Sequence, residues 1–257
     1  MPNPSSPLRL VGRDVLFVHW PVPVDAVREV VPEPLTVDTV AGSAWLSVLA
    51  HEVSETTLAS LPVSRPFVQV NFRTYVRFDG DPGVYFLSLD TGNRTAAVVA
   101  QRLFGLPFRP ARGAVRRRDD GTVTLGCRRA ARGEPQARFD ARYRPNGDPE
   151  TVDADSTTGR LVERHRYFVP EGEASRLSRT VAGAGRRGTD RRRTDRGVLV
   201  GEVTRDPWRL TPVEAAVRTN TLFDAAGLDT PDAEPTVEYS PGYESRVVGL
   251  GFVTPAD

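Results

Sequence analysis

The chain has 257 residues, an apolar fraction of 39% and a formal net charge of +1, the composition of an ordinary globular protein. The near-zero charge excludes a strong overall attraction to nucleic acid, and no apolar run is long enough to span a membrane. A single cysteine, Cys127, excludes an intramolecular disulfide and is typical of a reducing compartment. The composition therefore predicts a cytoplasmic protein that binds neither nucleic acid nor a membrane.

The basic residues are unusual because all 34 of them are arginine and the chain contains no lysine. A guanidinium group stays protonated and cannot serve as an amine nucleophile. The only primary amine is the α-amino group of a proline-rich N-terminus. Catalysis through a lysine Schiff base is therefore excluded.

Most of the predicted elements are strands. Val24, Val27 and Val30 recur at helical spacing, and Pro32 ends that short helix. Alternating and apolar runs predict strands at residues 44–53, 67–78, 84–89, 110–117, 122–127, 137–143, 236–239 and 245–253. A second helix is predicted at residues 93–103. Because the strands outnumber the helices and do not alternate with them, the pattern favours an antiparallel β-barrel or sandwich.

A capping box predicts a third helix. Thr211 precedes Pro212 at the first helical position, Glu214 follows at the third, and Gly227 is a suitable end.

Residues 183–197 have low complexity and balanced charge, which predicts a surface loop within a single domain over residues 1–257. Residues 183–188 spell G-x-G-x-x-G, but no predicted strand precedes this motif and no helix follows it. A dinucleotide site needs both elements, so the loop interpretation is favoured and no cofactor is predicted.

Metal and nucleophile motifs are missing from the sequence. His19, His51 and His165 are scattered, so no metal site is predicted. There is no G-x-S-x-G, and Cys127 fits a buried core position better than a reactive one.

One face of the predicted strand 67–78 is polar and carries Gln69, Asn71, Arg73 and Tyr75. The next strand, 84–89, is almost continuously apolar, as expected when both of its faces are covered. The polar face then lines an enclosed cavity rather than bulk water. There Arg73 needs an anion, and either a protein carboxylate or a ligand carboxylate could supply it.

Eight segments carry a family resemblance: HWPV (19–22), NFRTYV (71–76), GVYFLSLD (83–90), RLFGLPFRPA (102–111), ERHRYF (163–168), DPW-L (206–210), RTNTLF (218–223) and YSPG (239–242). In this order they resemble the YqjF-like family of uncharacterised proteins, in the acetoacetate decarboxylase-like superfamily. The resemblance spans about residues 13–248 and fails at residues 183–197. It implies a mainly antiparallel β-barrel or cone with a few flanking helices.

The same resemblance shows where this chain departs from the decarboxylase. In that enzyme a paired-lysine motif follows Gly-Phe-Pro, whereas here Gly105-Leu106-Pro107 is followed by Phe108 and Arg109. The resemblance therefore implies the superfamily cavity without its imine chemistry. Gln69 stands where the family pattern usually has glutamate, which removes a carboxylate from that position.

Three hypotheses follow. In the first, the cavity binds a small organic acid or carbonyl compound. Its predicted ligand-binding residues are Gln69, Asn71, Arg73, Tyr75, Arg102, Phe108 and Arg109. The second is a non-covalent lyase-like or isomerase-like enzyme that transfers protons through Tyr75, Glu163 or His19. The third is a non-catalytic structural or interaction protein. Assembly into a homo-oligomer is left open.

Overall fold

The structure, a computed structural model, describes residues 8–58, 61–62, 65–174 and 197–254. The fold is mainly β, as predicted. Apart from Gly197, the predicted loop at 183–197 and its glycine motif lie outside the described residues. None of the helices in the described part of the chain is long and apolar enough to cross a membrane.

The described residues form strands and short helices. The strands are β1 (Leu8–Val22), β2 (Thr36–Val37), β3 (Ala44–Leu58), β4 (Leu61–Pro62), β5 (Phe67–Phe78), β6 (Asp81–Thr91), β7 (Phe108–Arg117), β8 (Val123–Arg129), β9 (Arg138–Pro145), β10 (Glu150–Thr151), β11 (Arg166–Pro170), β12 (Val198–Arg205), β13 (Arg209–Leu210), β14 (Val213–Asn220) and β15 (Thr236–Val253). The helices are α1 (Val24–Arg28), α2 (Arg94–Phe104), α3 (Thr157–Val162) and α4 (Leu222–Ala225).

Seven strands close into a ring in the hydrogen-bonded order β6-β11-β12-β15-β1-β3-β5, with β5 pairing back to β6. The pairs are antiparallel except for β11 with β6, which is parallel. Closure removes the free edges of a sheet and encloses an interior. The ring is the predicted barrel or cone, although an arm of four strands, β7-β8-β9-β14, continues from β6.

The arm packs on the outer face of β5. Val68, Val70 and Phe72 share a buried cluster with Leu125 of β8 and Phe139 of β9. At the contact an added Cβ on Gly113 of β7 would lie 2.5 Å from the Cβ of Val68, so only glycine permits this approach. Because the arm covers the outer face, the polar face of β5 is the one that points into the ring.

The helix predicted from the capping box is wrong. Residues 213–220 form β14, which pairs along its length with β9, and Glu214 lies opposite Arg144 with an N–O distance of 2.9 Å. The ladder satisfies the backbone groups that a helix would otherwise use. The helix that precedes Gly227 is the shorter α4, and Gly227 has the positive φ of 73° expected of a helix end.

The two strands predicted near the C-terminus form one strand, β15. The Ser-Pro-Gly stretch between them stays in the ladder, because Ser240 pairs with Val15 and Gly242 pairs with Arg13. β15 therefore runs beside both β1 and β12 and contributes a long wall to the ring.

Candidate functional site

The ring, together with α2 and the first residue of β7, lines a cavity of about 420 Å³ that is partly open to solvent. This size lies at the lower end of the range of roughly 300–1,000 Å³ that is typical of small-molecule sites. Apolar and aromatic side chains form nineteen of the thirty-one lining residues. The cavity is thus suited to a largely apolar molecule with few polar groups.

The charged residues of the cavity wall all have the same sign. Among the described lining residues there are four arginines, Arg73, Arg164, Arg166 and Arg205, and no aspartate or glutamate. A wall of this kind favours anions, because a cleft lined by charges of one sign concentrates their field.

Strand β5 supplies the polar part of the wall through its two-residue period. Gln69, Asn71 and Arg73 line the cavity, and the Gln69 amide donates to Asn71 Oδ1 at 2.9 Å. Their partners on β3 are His51, Leu49 and Ser47, respectively. Directly opposed residues of an antiparallel pair share a face, so these β3 residues also point inward.

A β-bulge alters the next part of the wall. Between β5 and β6 the register shifts so that Phe72 pairs with Ser88 and Arg73 pairs with Phe86, leaving Leu87 as the extra residue. Leu89 therefore lines the cavity together with Phe86. Strict alternation would place Leu89 on the face opposite Phe86, but the bulge reverses the alternation.

Arg73 is a buried cation of the cavity wall with few protein partners. Its side chain is 7% exposed, and Nη2 donates to the Leu161 carbonyl at 3.4 Å. Its Nε has no hydrogen-bond partner, and no carboxylate lies within 4.0 Å of it, among the residues that the structure describes. The Arg73 guanidinium lies 5.7 Å from the centre of the Tyr75 ring. A buried cation in this state is costly unless an anion binds to it.

Two further arginines lie close to Arg73 but already have carboxylate partners. Arg164 pairs with Asp38 at 2.9 Å, and Arg205 pairs with Glu163 at 2.9 Å. Burial lowers the pKa of Arg164 and of Arg205, and the positive charge of Arg73 lowers both further. The three guanidinium groups therefore make one end of the cavity cationic.

A buried chain of hydrogen bonds lies beside Arg73. The Tyr75 hydroxyl is 2.8 Å from Ser47 Oγ, which is 2.6 Å from His19 Nδ1. His19 Nε2 lies 3.6 Å from Glu238 Oε2, and Thr158 donates to the same carboxylate at 2.8 Å. Burial, aided by the charge of Arg73, lowers the pKa of His19 to about 3, whereas burial raises the pKa of Glu238. His19 is therefore neutral at physiological pH.

The structure brings only some of the predicted ligand-binding residues to the cavity. Gln69, Asn71, Arg73 and Phe108 line it. Tyr75 is fully buried behind the wall.

Arg109 and Arg102 are not on the cavity wall. Successive strand residues point to opposite faces, so Phe108 faces the cavity while Arg109 pairs with Glu134 at 3.0 Å. Arg102 is an exposed residue of α2.

Glu163 is held by an ion pair with Arg205 and by a hydrogen bond from Trp208. Burial raises its pKa, but the hydrogen bonds from Arg205 and from the Trp208 backbone amide outweigh burial and lower the pKa overall. The hydrogen bond from the Trp208 backbone amide to Glu163 Oε1 is 2.7 Å long. Glu163 is thus held as an ionised carboxylate, a poor source of protons.

The sequence did not indicate Arg164, Arg205 or Ser47 as site residues. Glu163 and Arg164 are adjacent in the chain, but each pairs with a residue distant in sequence. The sequence marks Ser47 only as a polar residue within an otherwise apolar predicted strand.

Within the described ranges no three His, Cys, Asp or Glu side chains are grouped as a metal site would require. Cys127 is buried in the cluster between the arm and β5, and burial raises the pKa of its thiol.

The chain matches a family of known sequences. Residues 11–183 match DUF2071, described as "Uncharacterized conserved protein (COG2071)". The chain is also 33% identical over 237 residues to "Uncharacterized protein YqjF" of Bacillus subtilis (strain 168), covering 91% of this chain and 87% of that protein.

Solved structures share the fold. MppR, an enduracididine biosynthesis enzyme complexed with pyruvate, has a TM-score of 0.63 and 14% identity over 96% of this chain and 90% of its own. Acetoacetate decarboxylase from Legionella pneumophila has a TM-score of 0.61 and 13% identity over 97% and 93% of the two chains. An acetoacetate decarboxylase-like enzyme from Sphingomonas wittichii RW1 has a TM-score of 0.58 and 15% identity over 98% and 95%. At these identities the likeness concerns the fold.

Proposed function

We propose that this chain, which belongs to the DUF2071 family, binds a small organic acid in the ring cavity, with the carboxylate at Arg73. One observation carries the proposal: Arg73 is buried at the cavity wall without a carboxylate partner among the described residues. A ligand carboxylate would supply the missing charge and accept hydrogen bonds from the guanidinium.

The other wall residues have supporting roles in this proposal. Asn71 and Gln69 lie on the same strand face as Arg73 and offer amide groups that orient the acid. Phe108 occupies the place where the decarboxylase resemblance has a reactive lysine, and it offers an apolar surface instead. Binding is therefore reversible and non-covalent. MppR, which shares the fold, was solved in complex with pyruvate, so a protein of this fold can hold a small carboxylate.

A thermal-shift screen of organic acids tests the proposal. We expect at least one acid to raise the Tm of the wild type, because a ligand that binds only the folded state stabilises it. Arg73→Gln should lose this response, since glutamine keeps hydrogen-bonding groups but not the charge. Arg144→Gln, which removes an exposed arginine of the arm, is the matched control and should keep it.

Equal stabilisation of the wild type and Arg73→Gln by every acid would refute the proposed role of Arg73. No stabilisation of either protein by any acid would refute acid binding itself. Circular dichroism confirms that each variant is folded before the comparison.

A second candidate, a non-covalent lyase-like or isomerase-like enzyme, is supported by the hydrogen-bonded chain from Tyr75 through Ser47 to His19. Such a chain can move a proton toward or away from a group near Arg73. Incubation with candidate acids in D₂O, followed by mass spectrometry, detects proton exchange on the acid. We expect Ser47→Ala to lose exchange but keep binding. Binding without exchange in the wild type would leave only the binding function.

A further inference from the structure

We infer that the ligand is an amphipathic monocarboxylic acid, with its carboxylate at Arg73 and an apolar tail that fills the rest of the cavity. This inference rests on the proposed function, because it assumes that an acid binds at Arg73. It adds the chemical class of the tail and the number of charges on the ligand.

The charge on the ligand follows from the partners of the four lining arginines. Arg164 and Arg205 each pair with one carboxylate, Asp38 and Glu163. Arg166 pairs with Glu202 at 3.0 Å and also with Asp81. Within the described part of the chain, Arg73 alone of the four has no carboxylate partner. Because Arg73 is the one lining arginine without a carboxylate among the described residues, a single ligand carboxylate is enough to pair it.

The opposite end of the cavity is an apolar rim. Leu8 of β1 pairs with Leu58 of β3 on one side and with Val247 of β15 on the other, and all three line the cavity. Leu58 is partly exposed. On β3 this rim lies at the last residue of the strand, whereas Ser47, opposite Arg73, lies near its beginning. Charge and apolar surface are thus separated along the strands.

Over the whole cavity wall, apolar and aromatic residues outnumber polar and charged residues by nineteen to twelve. Seven of these nineteen residues are aromatic: Phe67, Phe86, Phe104, Phe108, Tyr167, Trp208 and Tyr243. An acid with only a few carbon atoms would reach Arg73 and leave most of the volume of about 420 Å³ without contacts. An apolar tail would bury this surface and gain dispersion contacts along it. The lining therefore fits an apolar tail better than a short or hydroxylated one.

A homologous series of n-alkanoates, from acetate to tetradecanoate, tests the inference by isothermal titration calorimetry. We expect Kd to fall about fourfold for each added methylene, equivalent to about 0.8 kcal/mol, until the tail fills the cavity. Beyond that length the gain should stop. Primary alcohols of equal length should bind more weakly than the acids, and Arg73→Gln should reduce the acids to the affinity of the alcohols.

A variant of the rim makes the test independent of Arg73. Leu10→Trp adds volume near the rim from a half-buried position on β1, so it should not prevent folding. We expect it to shorten the longest alkanoate that still gains affinity, without changing the affinity of acetate. Arg144→Gln is again the control and should bind the whole series as the wild type does.

The possible outcomes separate this inference from the proposed function. Acids that bind through Arg73 with an affinity independent of chain length would overturn the tail and leave the proposed function standing. Alcohols that bind as tightly as acids, with no effect of Arg73→Gln, would overturn both. Dicarboxylates that bind more tightly than monocarboxylates of the same length would overturn the assignment of a single charge.

Discussion

Arg73 and Arg129 are both buried arginines, but they differ in what neutralises them. Arg129 donates from Nε and Nη2 to the two carboxylate oxygens of Asp90 at 2.7 and 2.9 Å. Arg73 has no carboxylate partner within the described ranges. A paired buried charge is costly to break, whereas an unpaired one is costly to keep. The two residues should therefore respond oppositely to the same substitution.

Arg73→Met is expected to stabilise the ligand-free protein. Removal of a buried charge without a partner relieves a desolvation penalty, and the methionine side chain can follow the apolar wall. We expect the free energy of unfolding to rise by about 1–3 kcal/mol in urea denaturation. A loss of more than about 1 kcal/mol would show that Arg73 contributes to folding rather than to ligand binding.

Arg129→Met is expected to destabilise the protein by about 3–5 kcal/mol in the same measurement, because Asp90 is left buried without a positive partner. Replacement of Asp90 by leucine in the Arg129→Met background should recover part of this loss. A double variant no more stable than the single one would mean that the loss comes from packing and not from charge.

At the scale of the element, a strand or helix was predicted correctly where its local sequence is enough to determine it. β5 has the predicted bounds, Phe67–Phe78, because its alternation reports two differently covered faces. β14 does not follow its local capping signal, because pairing with β9 prevails. The apolar run Val15–Val18 has no alternation, and β1 (Leu8–Val22), which contains it, was not predicted.

The site residues also divide into those that the local sequence identifies and those that it does not. Gln69, Asn71, Arg73 and Phe108 could be found from strand periodicity and the family resemblance, and they line the cavity. Arg164 and Arg205 could not, because closure of the ring brings them to Arg73 from distant parts of the chain. The shift of Leu89 to the cavity face was equally hidden, since a bulge depends on the register with the partner strand.

The contact between the arm and the ring can be tested at Gly113. A Cβ there would meet the Cβ of Val68 at 2.5 Å, so Gly113→Ala should force the arm away from β5. We expect a loss of about 1–3 kcal/mol in the free energy of unfolding. Gly251→Ala on β15, with no atom within 4 Å of the added Cβ, is the control and should be nearly neutral. Equal effects of the two substitutions would show that the arm does not pack as described.

For the molecule as a whole, ring closure encloses two histidines that would otherwise titrate near neutral pH. His19 and His51 are fully buried, and His51 Nε2 lies 3.0 Å from the Tyr243 hydroxyl. Burial lowers the pKa of His51 from 6.5 to about 4. The pKa of Glu238, beside His19, is raised instead, which opposes the effect of His19 over part of the acid range. His51 is therefore the cleaner probe of how folding is linked to protons.

Stability should decline as the pH falls below 6.5 because of His51. Between pH 6.5 and about 4 the unfolded chain binds a proton at His51 and the folded chain does not. Within this window each unit of pH decrease therefore lowers the free energy of unfolding by about 1.4 kcal/mol, and the full contribution of His51 to stability is present above pH 6.5.

Urea denaturation of the wild type and His51→Gln from pH 7.5 to 5 isolates the contribution of His51, since the other titrating groups are common to both proteins. The difference between the two free energies should shrink by about 1.4 kcal/mol per unit below pH 6.5. A difference that stays constant with pH would mean that His51 titrates alike in the folded and unfolded states, and that the ring does not exclude water from it.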